Sequence, residues 1–309
     1  MRQPCRQRLG IREGVRGRLH KSKQEIHKRS AVRDSGEDMQ YTLKTLAAAA
    51  ALTIATAASA QTTTPVGGSL TLNGQAYQLD GGTGTLSFSS SLITALNVGK
   101  IAVTKVGDAT VTETLTPRPP FGSTRTGVSA AAPITAVTTG ATGEVLSVDT
   151  TGGALQTANI LEGVSLGGTL SVANLSVDLT NKKIFASITG DFRGVATGEA
   201  APYGSEVLTT KDNFHLWNFA SISGPTTLNG AGTYANTISG LTITADGFKH
   251  FVSALRLVDL GVSTLQGVTD YGTISSTINV SAVPEPSTYA MAIAGLALVG
   301  VAARRARKA

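Results

Sequence analysis

Between Gln61 and Ser281 the chain alternates apolar and polar residues in short runs, the period-two pattern of strands with one buried face. Ser69–Asn73 (SLTLN), Thr85–Ser89 (TLSFS), Lys100–Val106 (KIAVTKV) and Thr110–Leu115 (TVTETL) open the series. Glu144–Asp149, Thr169–Leu179, Lys183–Thr189, Phe214–Ser223, Tyr234–Ser239, Leu241–Ala245 and Thr273–Val280 continue it. Glycines fall between the runs, as in DGGTG, TGG and LGG, where turns need positive φ. Asn181-Lys182-Lys183 reads as a hairpin tip. Short strands at this spacing predict a mainly β fold, an antiparallel sandwich-like or layered β domain.

Two segments switch to helical spacing. In SSSLITALNVG, Leu92, Ile93 and Leu96 share one face behind capping serines. In ADGFKHFVSALRLVDLG, Phe248, Phe251, Val252, Leu255 and Val258 form a stripe after Asp246, which reads as the cap; its end, LRLVDL, fits a strand equally well. Thr116–Gly127 (TPRPPFGSTRTG) reads as an irregular loop, because its prolines remove ladder donors. It is a candidate internal boundary between a small β unit and a larger one.

The net charge of +6 and a pI near 9.5 suggest nucleic acid or a membrane surface until the charges are placed. Residues 1–38 carry 11 Lys/Arg and 5 Asp/Glu, whereas 61–303 carry 10 and 15. The body is therefore mildly acidic, without the basic stripe that a nucleic-acid binder needs. Residues 1–38 are charge-dense and poor in large apolar side chains, so alone they bury no core. They read as a mis-set start or a removable extension. Residues 39–60 then have the layout of a secretory signal peptide: Lys44, an apolar run over Leu46–Ala57, and Ala58-Ser59-Ala60 before cleavage at Gln61. The only cysteine is Cys5, so the exported body, 61–281, has no disulfide and no thiolate chemistry.

The body offers little that catalysis requires. Its histidines, His215 and His250, have no second histidine at metal-ligand spacing, and both read as structural or surface residues. It contains no nucleophile elbow, phosphate-binding loop or acidic cation loop, and no cofactor is implied. The carboxylates are scattered singly, which gives no positive ground for a polysaccharide hydrolase. In FHLWNF, strict alternation places His215, Trp217 and Phe219 on one strand face. That is either an aromatic platform for a sugar or partner, or core packing; with aromatics only 5% of the chain, packing is favoured.

The C-terminal segment 282–309 has three parts. Val283-Pro284-Glu285-Pro286-Ser287-Thr288 reads as extended. Residues 289–303 are uncharged and read as a transmembrane helix, and Arg304, Arg305, Arg307 and Lys308 follow as a stop-transfer cluster in the basic tail, 304–309. The apolar run spans about 22 Å as a helix, short of the roughly 30 Å hydrocarbon core, a gap that bilayer thinning and snorkelling arginines close. The positive-inside rule puts the arginines in the cytoplasm and the body outside, in accord with the signal peptide.

This V-P-E-P-S-T motif, apolar run and terminal arginine cluster resemble the PEP-CTERM protein-sorting signal, with Tyr289 where tryptophan is frequent. The resemblance implies a Gram-negative bacterial protein processed by signal peptidase and exosortase. Such a protein is held transiently in the inner membrane with its body in the periplasm, then released to the cell surface or extracellular matrix. It also implies an association with exopolysaccharide and biofilm. Glu285, the only charge between Asp270 and Arg304, is the natural specificity handle. A non-enzymatic structural or adhesive role is the first expectation, with Thr and Ser open to glycosylation. A surface ligand- or carbohydrate-binding module is the second.

Overall fold

The computed structural model describes residues 61–120, 122–198, 206–283 and 286–306; in the last segment side chains are described at 290–300, 304 and 305. The extension 1–38 and the signal peptide 39–60, with Ala58 and Ala60, lie outside the described residues. Gln61 is the first described residue and is exposed.

The first strands are β1 (Thr62–Pro65), β2 (Ser69–Leu72) and β3 (Gln75–Phe88), followed by α1 (Ser90–Val98). Then come β4 (Ala102–Val106), β5 (Thr110–Pro117), β6 (Ser123–Thr139), β7 (Val145–Thr150) and β8 (Gly153–Leu161). β9 (Ser165–Asp178) and β10 (Lys183–Gly190) form the hairpin expected at 181–183. β11 (Thr209–Asn218), β12 (Ser221–Ser223), β13 (Gly232–Ser239) and β14 (Thr242–Ile243) precede α2 (Ala245–Ala254) and α3 (Asp259–Gln266). β15 (Gly272–Ala282) and α4 (Pro286–Ala306) complete the described elements.

The strands form one 15-stranded sheet in the order β12-β13-β15-β3-β6-β7-β9-β10-β11-β14, with β1, β2, β4, β5 and β8 off that path. The pairings are antiparallel. β6 links the two layers. Its first part pairs with β5 and β3, and beyond Pro133 it turns to β7 and β1, with a register shift between Ile134 and Ala136. The sheet thereby folds over itself. Leu86, Ile238 and Ile274 from one layer meet Ala154, Leu170, Ile188 and Trp217 from the other in a single core cluster. β9 makes a matching change of partner, from β8 to β7, at Asn174 (φ +52°), whose side chain accepts from Gly152 N at 3.0 Å.

The helices follow the apolar stripes. α1 buries Leu92, Ile93 and Leu96 as expected, and Ser89 caps it by accepting from Leu92 N at 3.1 Å. The second helix starts two residues earlier than its sequence suggests. Thr244 is its cap, and Asp246 lies in the first turn, where a carboxylate suits the helix dipole. LRLVDL is not a strand: the chain turns at Leu255–Arg256, with Arg256 at φ +50°, and starts α3. The 116–127 stretch is a hairpin rather than an irregular loop. β5 and β6 pair out to Pro117↔Ser123. Arg125 anchors that hairpin by donating to Asn97 Oδ1 at 3.0 Å and the Ile101 carbonyl at 2.9 Å, while pairing with Glu113.

The tail differs from its sequence reading in two ways. The helix begins at Pro286 rather than after the motif, since proline at the first helical position lacks only an N–H that is unpaired there anyway. In addition, among the described residues no helix is long and apolar enough to cross a membrane. This corrects the transmembrane element expected over 289–303. α4 is built largely of alanine and glycine between a polar start and two arginines, so its transfer free energy per residue is small.

At Gly82 (φ +154°) a Cβ would lie 1.8 Å from the Thr277 carbonyl oxygen, inside the β3–β15 ladder. Gly82→Ala should cost about 2–4 kcal/mol, seen as a lower urea midpoint. Its exposed neighbour Thr83→Ala should move the midpoint little; equal midpoints for the two variants would contradict the close approach.

Candidate functional site: an interior cavity and the C-terminal tail

The proposed aromatic platform is divided by a β-bulge. Ile184 pairs with Trp217 but Phe185 pairs with His215, leaving Leu216 as the extra residue. The bulge is pinned by the start of α2: Thr244 N donates to the Leu216 carbonyl at 3.0 Å and Thr244 Oγ1 to the His215 carbonyl at 3.0 Å. His215 consequently packs against Phe185 with tilted rings 5.3 Å apart, half-buried, with Nε2 3.0 Å from Asn218 Oδ1. Trp217 and Phe219 are each 4% exposed and belong to the core. The three side chains therefore do not share an open face.

Trp217 faces a cavity of about 80 Å³ between the layers. Tyr271, at the entry to β15, lines it too, with its ring centroid 6.4 Å from that of Trp217. The wall is almost wholly apolar and carries no charged residue. Its polar members include Gln156 and the pair Asn236–Ser276, in which Ser276 Oγ donates to Asn236 Oδ1 at 2.8 Å. Trp217 Nε1 and Tyr271 Oη are buried without a hydrogen-bond partner. Burial pushes the Tyr271 phenol well above its ordinary pKa, so it stays protonated. An unmet polar group in such surroundings costs roughly 1–3 kcal/mol.

Tyr271 is held firmly by its backbone. Its N–H donates to the Leu241 carbonyl at 2.7 Å, and its carbonyl accepts from Ser89 N at 3.3 Å. On either side, Ser89 Oγ and Ser91 Oγ donate to the Asp270 carbonyl, and Gly272 N donates to Asp270 Oδ1. No sequence motif marks this residue; its role comes from the strand and helix that fix its neighbours.

Two buried titratable side chains outside the cavity, His250 and Asp191, are satisfied structurally. His250 is 3% exposed; Nδ1 donates to the Asp246 carbonyl at 2.6 Å, leaving Nε2 to accept from Lys211 Nζ at 2.8 Å. Burial first, and then the Lys211 charge, lower its pKa against the opposing pull of that carbonyl. Asp191 is fully buried and is held at about 2, chiefly by hydrogen bonds from Arg193, whose Nε lies 2.8 Å from Oδ1. Among the described residues no group of three His, Cys, Asp or Glu side chains is placed to hold a metal.

Both shifts favour the folded state at neutral pH, and both are lost in acid. The His250 contribution is complete above about pH 6.5 and declines below it, because the unfolded imidazole takes up the proton first. The Asp191 contribution, on the order of 2 kcal/mol, is complete above about pH 4 and disappears as pH falls through 2. Thermal midpoints measured from pH 8 to pH 2 should fall in these two windows, and Asp191→Asn should flatten the acid step. A midpoint that rises between pH 7 and 5 would rule out a neutral, buried His250.

In the tail, Val283 is exposed and its N–H donates to the Ala76 carbonyl at 3.3 Å, directly after β15. Pro284 and Glu285 lie outside the described residues, and Pro286, Ser287 and Thr288 open α4. Arg304 and Arg305 are exposed in its last turn, and Arg307 and Lys308 lie outside the described residues. No curated protein matches the chain. A solved structure, the heme binding protein HtaB from Corynebacterium glutamicum, is similar at 13% identity and a TM-score of 0.38, over 72% of this chain and 96% of that one. So loose a likeness carries neither fold nor function. Residues 282–308 match the family model described as the PEP-CTERM protein-sorting motif. The motif implies export and transient membrane anchoring through the C-terminal region. The chain is thus a β-rich body bearing a C-terminal PEP-CTERM sorting motif.

Proposed function

We propose that this is an exported protein whose tail is cut by an exosortase and whose body serves a structural or adhesive, non-catalytic role at the cell surface or in the extracellular matrix. The observation that carries the reading is the sorting motif over 282–308, which starts where β15 ends. α4 exposes Met291, Ile293, Leu296, Leu298 and Val299, each at least 66% accessible, as an apolar surface for membrane lipid. A weakly apolar helix suits an anchor that an enzyme removes. The signal peptide, the periplasmic step and the exopolysaccharide partner belong to the same proposal.

The outward face of the β12-β13-β15-β3-β6-β5 layer supports the adhesive part. Register aligns Ser223, Thr237, Ser275, Thr85, Ala131 and Thr110 in one row across six strands. A second row runs Thr273, Ser87, Ser129 and Thr112. These hydroxyls are exposed or half-buried, and neither row contains a charge. Such a face exchanges hydrogen bonds with a neutral polyhydroxyl polymer without desolvating an ion.

Mass spectrometry of the protein from its native host should find a chain beginning at Gln61 and lacking Arg304–Lys308, and Glu285→Ala should accumulate in the membrane uncut. A mature form that keeps the arginines would sink the processing scheme. Replacing Thr85, Thr237 and Ser275 together by lysine should leave secretion and circular dichroism unchanged but reduce retention in the exopolysaccharide fraction several-fold. Undiminished retention would argue against the hydroxyl face.

A further inference from the structure

The cavity between the layers holds the two unmet polar groups that matter chemically. Among the described residues several other buried polar side chains find partners: Ser165 Oγ and Ser253 Oγ donate to carbonyls at 2.8 and 2.9 Å, and Asp191 meets Arg193. Among the described residues the third buried atom without a partner, Thr64 Oγ1, does not line this cavity. Two residues with an unmet donor, one on β11 after a bulge and one before β15 fixed by its backbone on both sides, thus line one apolar space.

We propose that this cavity is a binding site for a small neutral aliphatic molecule with one oxygen acceptor, a ketone or an alcohol, held by Trp217 and Tyr271. The indole N–H only donates, whereas the phenol donates or accepts. An acceptor oxygen therefore satisfies both, and an alcohol can return its own hydrogen to Tyr271. The uncharged wall excludes carboxylates and ammonium groups, whose burial without a counter-charge is prohibitive. The volume of about 80 Å³ exceeds the roughly 10–15 Å³ that a water needs, and is about half of the roughly 150 Å³ that admits benzene in an engineered cavity. The site accordingly fits a slender few-carbon chain rather than a ring or a sugar. This goes beyond the adhesive reading and does not depend on it, since the hydroxyl rows lie on the opposite face of the sheet.

Trp217 is the only tryptophan in the chain, so its emission reports the cavity directly. The full-length protein is titrated with 1-butanol while Trp217 emission is followed, with tryptophanamide as the solvent control. 2-Butanone, butyrate and butylammonium are compared by ligand-detected NMR saturation transfer. The expected result is saturable binding of the alcohol and ketone, and none of either ion. Tyr271→Phe should weaken 1-butanol about five-fold, the worth of one neutral hydrogen bond, and should raise the melting temperature of the ligand-free protein by removing the unmet hydroxyl. Trp217→Phe, followed by NMR, should weaken binding by a similar factor. Three outcomes overturn the proposal: no saturable binding of either neutral probe, equal affinity in Tyr271→Phe, or a ligand-free Tyr271→Phe that melts several degrees lower. The last would mean that water already satisfies the phenol.

Discussion

β6 supplies hydrogen bonds to both layers, and the remainder of the body depends on that continuity. A flat sheet of fifteen strands would leave a long apolar face in water. By pairing with β3 and β5 along its first part and with β1 and β7 along its second, β6 lets the sheet turn over and bury that face against itself. β9 repeats the device at Asn174. Two strands that change partners without ending keep backbone donors and acceptors paired through the bend, which an ordinary loop would not do.

The fold treats polar groups in two contrasting ways. At the corner between α2, β11 and the segment after β10, the buried ionisable groups are matched: His250 to Lys211 and a carbonyl, and Asp191 to Arg193 and to Val207 N. Phe192 and Phe214 pack on the His250 ring at 4.8 and 4.6 Å, completing a shielded cluster. Around the cavity the reverse holds, for Trp217 and Tyr271 line an apolar space and each carries a buried polar atom without a partner. The same low polarity that strengthens the matched cluster makes the unmatched pair expensive. That contrast within one core is why the cavity reads as a site rather than as loose packing.

Address and body are chemically distinct, and three residues of sequence separate β15 from α4. The last strand of the β12-β13-β15-β3 layer ends at Ala282, Val283 still hydrogen-bonds back to Ala76, and α4 begins at Pro286. The cations that raise the pI belong to the segments before Gln61 and after Ala303, while the span between them is net acidic. An overall basic charge therefore says nothing about what the folded body binds.

Much of this was legible from sequence because it is local. Alternation identified most strands, a serine-capped stripe identified α1, and Asn181–Lys183 marked a hairpin. The β6 strand was missed because Arg118–Pro120 reads as a breaker and its alanines carry little β preference; only pairing with β3 and β5 makes it a strand. α3 was missed because a turn at Arg256 divides one apolar stripe between two helices. The sequence by itself determined the β class, the acidic body and the C-terminal address, since composition, period and a contiguous motif are properties of neighbouring residues. Tertiary structure alone decided that Trp217 turns away from His215, and that it meets Tyr271 across a cavity. A bulge inverts the facing of every residue after it, and two residues 54 positions apart share a space only once the sheet has closed.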